Sequence, residues 1–113
     1  MPHTYYLGDD IAAMIRYAEP VLAQVHVADV LNHRASSGLR YIVNPPGSTA
    51  RVHQHLDIGQ GEVDFEAGFD ALRAIGFDGI VTSCVFAWEE RAVESSRLMY
   101  ERISALLKRP AGG

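Results

Sequence analysis

Residues 51–65 read Arg51-Val52-His53-Gln54-His55-Leu56-Asp57-Ile58-Gly59-Gln60-Gly61-Glu62-Val63-Asp64-Phe65, and the rest of the chain is legible as a frame around them. Side chains alternate along extended backbone, so an extended segment turns His53 and His55 to the same side. Gly59 and Gly61 permit a sharp turn or a close backbone approach. Asp64, directly before a run with helical spacing, has the form of a helix N-cap. Polar residues gathered on a loop that feeds a helix are how a rigid scaffold presents an active site.

Composition narrows the possibilities. A chain of 113 residues makes one small domain at most. Its 48% apolar and 21% charged residues are an ordinary globular balance. The formal net charge of -4 counts against nucleic acid as partner, because phosphate binding needs a basic face. The single cysteine, Cys84, cannot close an internal disulfide, so nothing points to secretion. No apolar run approaches the ~20 residues of a membrane span. The start, Met1-Pro2-His3-Thr4, has neither the basic nor the apolar part of a signal peptide. No membrane partner is expected, and the cytoplasm is the expected compartment.

Outward from the central stretch, residues 1–8 read as an extended or irregular lead. Ile11, Met14, Ile15 and Ala18 follow Asp9-Asp10 at helical spacing, and Pro20 disfavours helix at Glu19, so a helix is expected over 10–19. Residues 21–30 are short, valine-rich and nearly all apolar, which fits a strand buried on both faces. His26 and Asp29 are its polar exceptions, near the end where parallel α/β sheets place their chemistry. Residues 31–63 lack a sustained period and carry strong breakers, Ser36-Ser37-Gly38 and Asn44-Pro45-Pro46-Gly47. A connection this long reads as an active-site-type loop. It holds Arg34, Arg40 and Arg51, all suited to a carboxylate or a phosphate. Phe65, Phe69, Leu72 and Ile75 then line a helix that stops at Gly76. Residues 80–86 read as a second buried strand, and a last helix runs over about 89–108. The expected order is α-β-long loop-α-β-α with parallel strands. Two parallel strands are a narrow sheet to stand alone, so the pattern reads as part of a larger α/β fold.

Three segments carry a resemblance: Val25-His26-Val27-Ala28-Asp29, Gly59-Gln60-Gly61-Glu62-Val63-Asp64-Phe65 and Leu72-Arg73-Ala74-Ile75-Gly76-Phe77-Asp78-Gly79. In this order they resemble the sugar phosphate isomerase/epimerase family, the xylose-isomerase-like TIM barrels. The segment from His53 to Asp64, with Asn44-Pro45-Pro46-Gly47 before it and Cys84-Val85-Phe86-Ala87-Trp88-Glu89-Glu90 after, looks most like the IolH-type proteins of myo-inositol catabolism. The resemblance spans nearly the whole of residues 1–113. It implies the C-terminal part of a (β/α)8 barrel, from about the sixth helix to the eighth.

The resemblance also implies a site. Family members hold a divalent metal (zinc, manganese, cobalt or magnesium) through two glutamates, an aspartate and a histidine. The metal polarises substrate oxygens while a carboxylate moves a proton. His26 matches the metal histidine. Arg34 lies near the position of a substrate-binding arginine, and His3 near that of a substrate histidine; apart from the resemblance, the pair His53 and His55 is a candidate for substrate binding, and His53, His55 or Asp57 could make up for missing metal ligands. Cys84 falls where a glutamate is expected, which makes it the candidate acid/base beside Asp29. The first glutamate and the aspartate have no counterpart after Met1, so the metal shell is incomplete. A sulfur in place of an oxygen favours zinc over magnesium.

Each residue also has a plainer reading. His26 can be a satisfied core histidine, Cys84 an inert small hydrophobe and Asp29 a cap on the following turn. His53 and His55 can be solvent-facing loop residues. The leading expectation is an isomerase or epimerase-type protein acting on a small polyol, keto-sugar or inositol derivative, incomplete for catalysis alone. A second is an oligomerising module, because the edges of a narrow sheet invite pairing, and a homo-oligomer is expected on that ground. A zinc-dependent DNA-repair endonuclease relative is third, disfavoured by the acidic charge.

Overall fold

The computed structural model describes residues 1–30, 55–85 and 88–110. Helix α1 (Pro2–Tyr6) comes first, where an extended or irregular lead was expected. Pro2 opens it with a fixed φ suited to a first helical turn, and Met1 and Tyr5 pack against the core. Helix α2 (Ile11–Ala18) starts where Asp10 Oδ1 accepts the Ala13 amide at 2.9 Å, and buries Ile11 and Ile15, four apart on one face.

Strand β1 (Gln24–Val27) follows. It is shorter than the ten residues expected and is covered on one face only. Val25 and Val27 are buried, while Gln24 and His26 are exposed. Helix α3 (Phe65–Ala74) is capped by Asp64, which accepts the Ala67 amide at 3.0 Å. Phe65, Phe69 and Leu72 go into the core. At its end Gly76 takes φ +65°, with Gly76 N–H to Arg73 O at 3.0 Å and Phe77 N–H to Leu72 O at 3.0 Å. This is the paired-bond stop that a left-handed glycine allows. Gly79 passes so close to the Ala23 carbonyl and the Phe77 ring that a side chain there would collide with both.

Strand β2 (Ile80–Ser83) pairs with β1 in parallel, Gln24 beside Ile80 through Val27 beside Ser83. It is exposed or half-buried along its length and stops at Ser83, where a buried strand over 80–86 was expected, with Phe86 outside the described residues; Cys84 still donates its amide to Val27 O at 3.0 Å. A 3-10 turn (Glu89–Arg91) leads into helix α4 (Ala92–Lys108), which buries Ser95, Met99 and Ile103 at four-residue spacing. Arg73 of α3 donates to the Leu106 carbonyl at 2.7 Å, tying α3 to the last turn of α4. No described helix is long and apolar enough to cross a membrane.

Among the described residues the architecture is a two-stranded parallel sheet with its apolar core on one face. Gln24, His26, Ile80 and Thr82 occupy the opposite face, where Gln24 Nε2 donates to Thr82 Oγ1 at 3.0 Å and lies 3.1 Å from His26 Nε2. Within a parallel barrel such a face looks inward, so the one-sided burial of β1 is what a barrel sector shows. Among the described residues Phe69 is the largest fully buried side chain. Phe69→Ala is expected to cost roughly 3–5 kcal/mol in urea unfolding, whereas Tyr17→Ala, at an 85% exposed position, should stay within about 0.5 kcal/mol.

Candidate active site

Asp29 stands just past the end of β1 and is buried. Its Oδ1 accepts the amides of Val30 at 2.9 Å and Val63 at 3.0 Å, and its Oδ2 accepts that of Gly59 at 2.9 Å. The Glu62 amide adds a bond to Val30 O at 2.9 Å. One carboxylate thus gathers the turn that connects the central stretch to α3. Gly59 makes the bend at φ +100°. Gly61 passes directly against the Asp29 carboxylate and the Val30 backbone, where a Cβ would have no room.

The backbone of Asp29 does a second job. Asp29 N–H donates to Leu56 O at 2.8 Å and Leu56 N–H to Asp29 O at 2.9 Å, an isolated antiparallel bridge. Leu56 is buried in consequence. Its neighbours His55 and Asp57 are buried as well, which fits extended backbone with alternating side chains.

His55 is the centre of the polar cluster. Its Nδ1 lies 2.8 Å from the Cys84 carbonyl. A carbonyl only accepts, so Nδ1 carries a proton and Nε2 of the neutral ring holds the lone pair. That Nε2 is 3.2 Å from His3 Nε2, with the rings edge to face at 5.0 Å between centroids. His3 is exposed and reaches the site from α1. Cys84 is half-buried, and burial raises its thiol pKa above the ordinary value against a smaller opposing effect of the Met1 ammonium.

The expected site residues are therefore distributed as follows. His3, His55 and Cys84 are brought together. His26 lies on the open sheet face against Gln24. Asp29 is engaged by three backbone amides. Arg34 and His53 lie outside the described residues. Among the described residues no three His, Cys, Asp or Glu side chains converge as a metal site. Sequence reasoning did not single out Ser95, Gln60, Trp88 and Arg91, which surround Asp57. A signal existed for one of them: Ser95 is a polar residue in the apolar row Ser95-Met99-Ile103 of α4.

The family description "xylose isomerase-like TIM barrel" matches residues 1–102. Neither the curated proteins nor the solved structures yield a match. The two parallel strands, the helices packed on one side of them and the polar residues at the strand ends agree with that description. On this match the chain belongs to the xylose isomerase-like TIM barrel family.

Proposed function

We propose that the chain supplies one sector of a metal-assisted isomerase or epimerase site for a small polyol or keto-sugar. The supporting observation is the His3–His55 pair. Two nitrogen ligands about 2.0–2.1 Å from a tetrahedral metal lie roughly 3.3 Å apart. The 3.2 Å between the two Nε2 atoms suits either a hydrogen bond or a shared cation. The bond from His55 Nδ1 to the Cys84 carbonyl is the type of support that orients a ligating histidine. A divalent metal held there would act as a Lewis acid toward substrate oxygens.

The chain's own residues have definable parts in this reading. His3 and His55 offer two nitrogens. His26, the metal histidine implied by the resemblance, would have to give up its Gln24 contact to join them. Imidazole donors favour zinc over magnesium or manganese. Cys84, whose thiol pKa is raised by burial, is in this reading a proton donor rather than an acceptor. The remaining donors would come from other strands of a barrel, so turnover by this chain alone is not expected. The finer assignment, an inositol derivative, rests on the likeness of residues 53–64 to the inositol-catabolism branch.

A second reading is favoured by a different observation. Ile80, at 65% exposure on β2, and Tyr100 and Leu107 on α4 expose large apolar side chains. An oligomerising module would cover such residues with a second copy of the chain. Light scattering over a dilution series separates the two: a metal-independent multiple of the 12.4 kDa chain mass supports the module.

For the enzyme reading, zinc or cobalt titration should show His55→Ala and His3→Ala each weakening binding by at least about tenfold. Equal affinity in wild type and both variants contradicts it. Alkylation of Cys84 provides a further check. A pKa raised by burial leaves less thiolate at any neutral pH, so the folded chain should react severalfold more slowly than the unfolded one. Equal rates would show that the thiol is not held in its protonated form.

A further inference from the structure

Asp57 lies two residues beyond His55 and is fully buried. Its Oδ1 accepts a hydrogen bond from the Ser95 hydroxyl on α4. Its Oδ2 is buried without a hydrogen bond, and Arg91 Nη2 stands 3.9 Å away. The Arg91 guanidinium lies over the Trp88 ring, 4.5 Å from its centroid. Trp88 Nε1 donates to Gln60 Oε1 at 2.6 Å, and the same oxygen accepts the Asp57 amide at 3.1 Å. The residues just after His55 are thus fastened to the entry of α4 by side chains, not by sheet pairing.

A buried carboxylate with an unsatisfied oxygen is an expensive fastener, and an apolar side chain would fill the space at lower cost. Its value is directional. The Asp29–Leu56 bridge fixes where the extended segment runs, but a single bridged pair leaves the segment free to roll about its own axis. His55 and Asp57 flank Leu56 and project to the same side of extended backbone. A side chain locked at 57 therefore locks the direction of the ring at 55.

We propose that Asp57 is a positioning residue for His55: held by Ser95 and faced by Arg91, it sets the roll of residues 55–57 so that His55 Nδ1 meets the Cys84 carbonyl and Nε2 meets His3. This deepens the reading of His55 as a site histidine and rests on it. Asp57 does not touch the reacting atoms; it acts through the imidazole.

The test reads the imidazole directly. ¹⁵N NMR of the histidine rings, above the usual imidazole pKa, reports which nitrogen carries the proton. Wild-type His55 should show one form, protonated at Nδ1. Asp57→Ala should convert it to a mixture of both tautomers while circular dichroism stays native. A second variant, the single substitution Ser95→Ala, removes the hydroxyl that holds Asp57, keeps Arg91 facing the carboxylate and suits a helix interior, so it tests the same contact without leaving the buried charge unopposed. It should give the same mixture. A folded variant of either kind that keeps the wild-type His55 signature overturns the proposal, since a merely structural Asp57 would lower the melting temperature and leave the tautomer alone. Zinc titration of the wild type runs beside it. A wild type indifferent to zinc, with the tautomer still lost in the variants, overturns the metal reading and supports the positioning role.

Discussion

The structure turns on the carboxylate of Asp29. A strand that ends in the middle of a protein must hand its chain to a loop, and a loop carries backbone amides that need partners. Asp29 accepts three of them from residues 30, 59 and 63. Its own backbone bridges Leu56. One residue thus brings the end of β1, the histidine segment and the start of α3 to a single point. Gly61 fits against it because it has no side chain. Remove the carboxylate and the three amides face a buried site without an acceptor, a loss that falls on the loop before it reaches the core.

From that point the polar cluster follows in order. The bridge buries Leu56 and puts His55 under β2's C-terminal end, where the Cys84 carbonyl receives Nδ1. Helix α1 then brings His3 to the other ring nitrogen. Polar groups at the C-terminal ends of parallel strands are the usual location of barrel chemistry. The apolar core on the far side of the sheet is a separate matter, built from Val25, Val27, Phe69, Met99 and their neighbours. The apolar core lies against one face of the small sheet, and the polar cluster of the candidate site gathers at the C-terminal ends of its strands.

Much of this was legible in the sequence, for physical reasons. Asp9-Asp10 and Asp64 announced helix starts because short acids satisfy orphan amides; of the first pair Asp10 is the cap, and Asp64 caps as expected. Gly76 announced a stop because its backbone reaches positive φ without strain. The parallel pairing of the two strands followed from the helix between them. What was not legible depends on groups distant in sequence. A valine-rich run cannot say whether one face or both will be covered, and β1 proved open on one side. The five-residue α1 is too short to show a period and is held by packing of Met1 and Tyr5. Asp29 had two open readings, a catalytic-end acid or a cap, and only the positions of Gly59 and Val63 show how many amides converge on it. Asp57 needed Ser95 and Arg91, more than thirty residues away, before its burial made sense.

The central claim is that Asp29 pins the loop on which the candidate site is built. Native-state hydrogen exchange of the Val30, Gly59 and Val63 amides tests it most directly, because each donates to that carboxylate. The account predicts that all three exchange slowly, with protection close to that of amides in the β1–β2 pair, and that they open together. Exchange at Gly59 and Val63 as fast as in an open loop, while the strand amides stay protected, would contradict it.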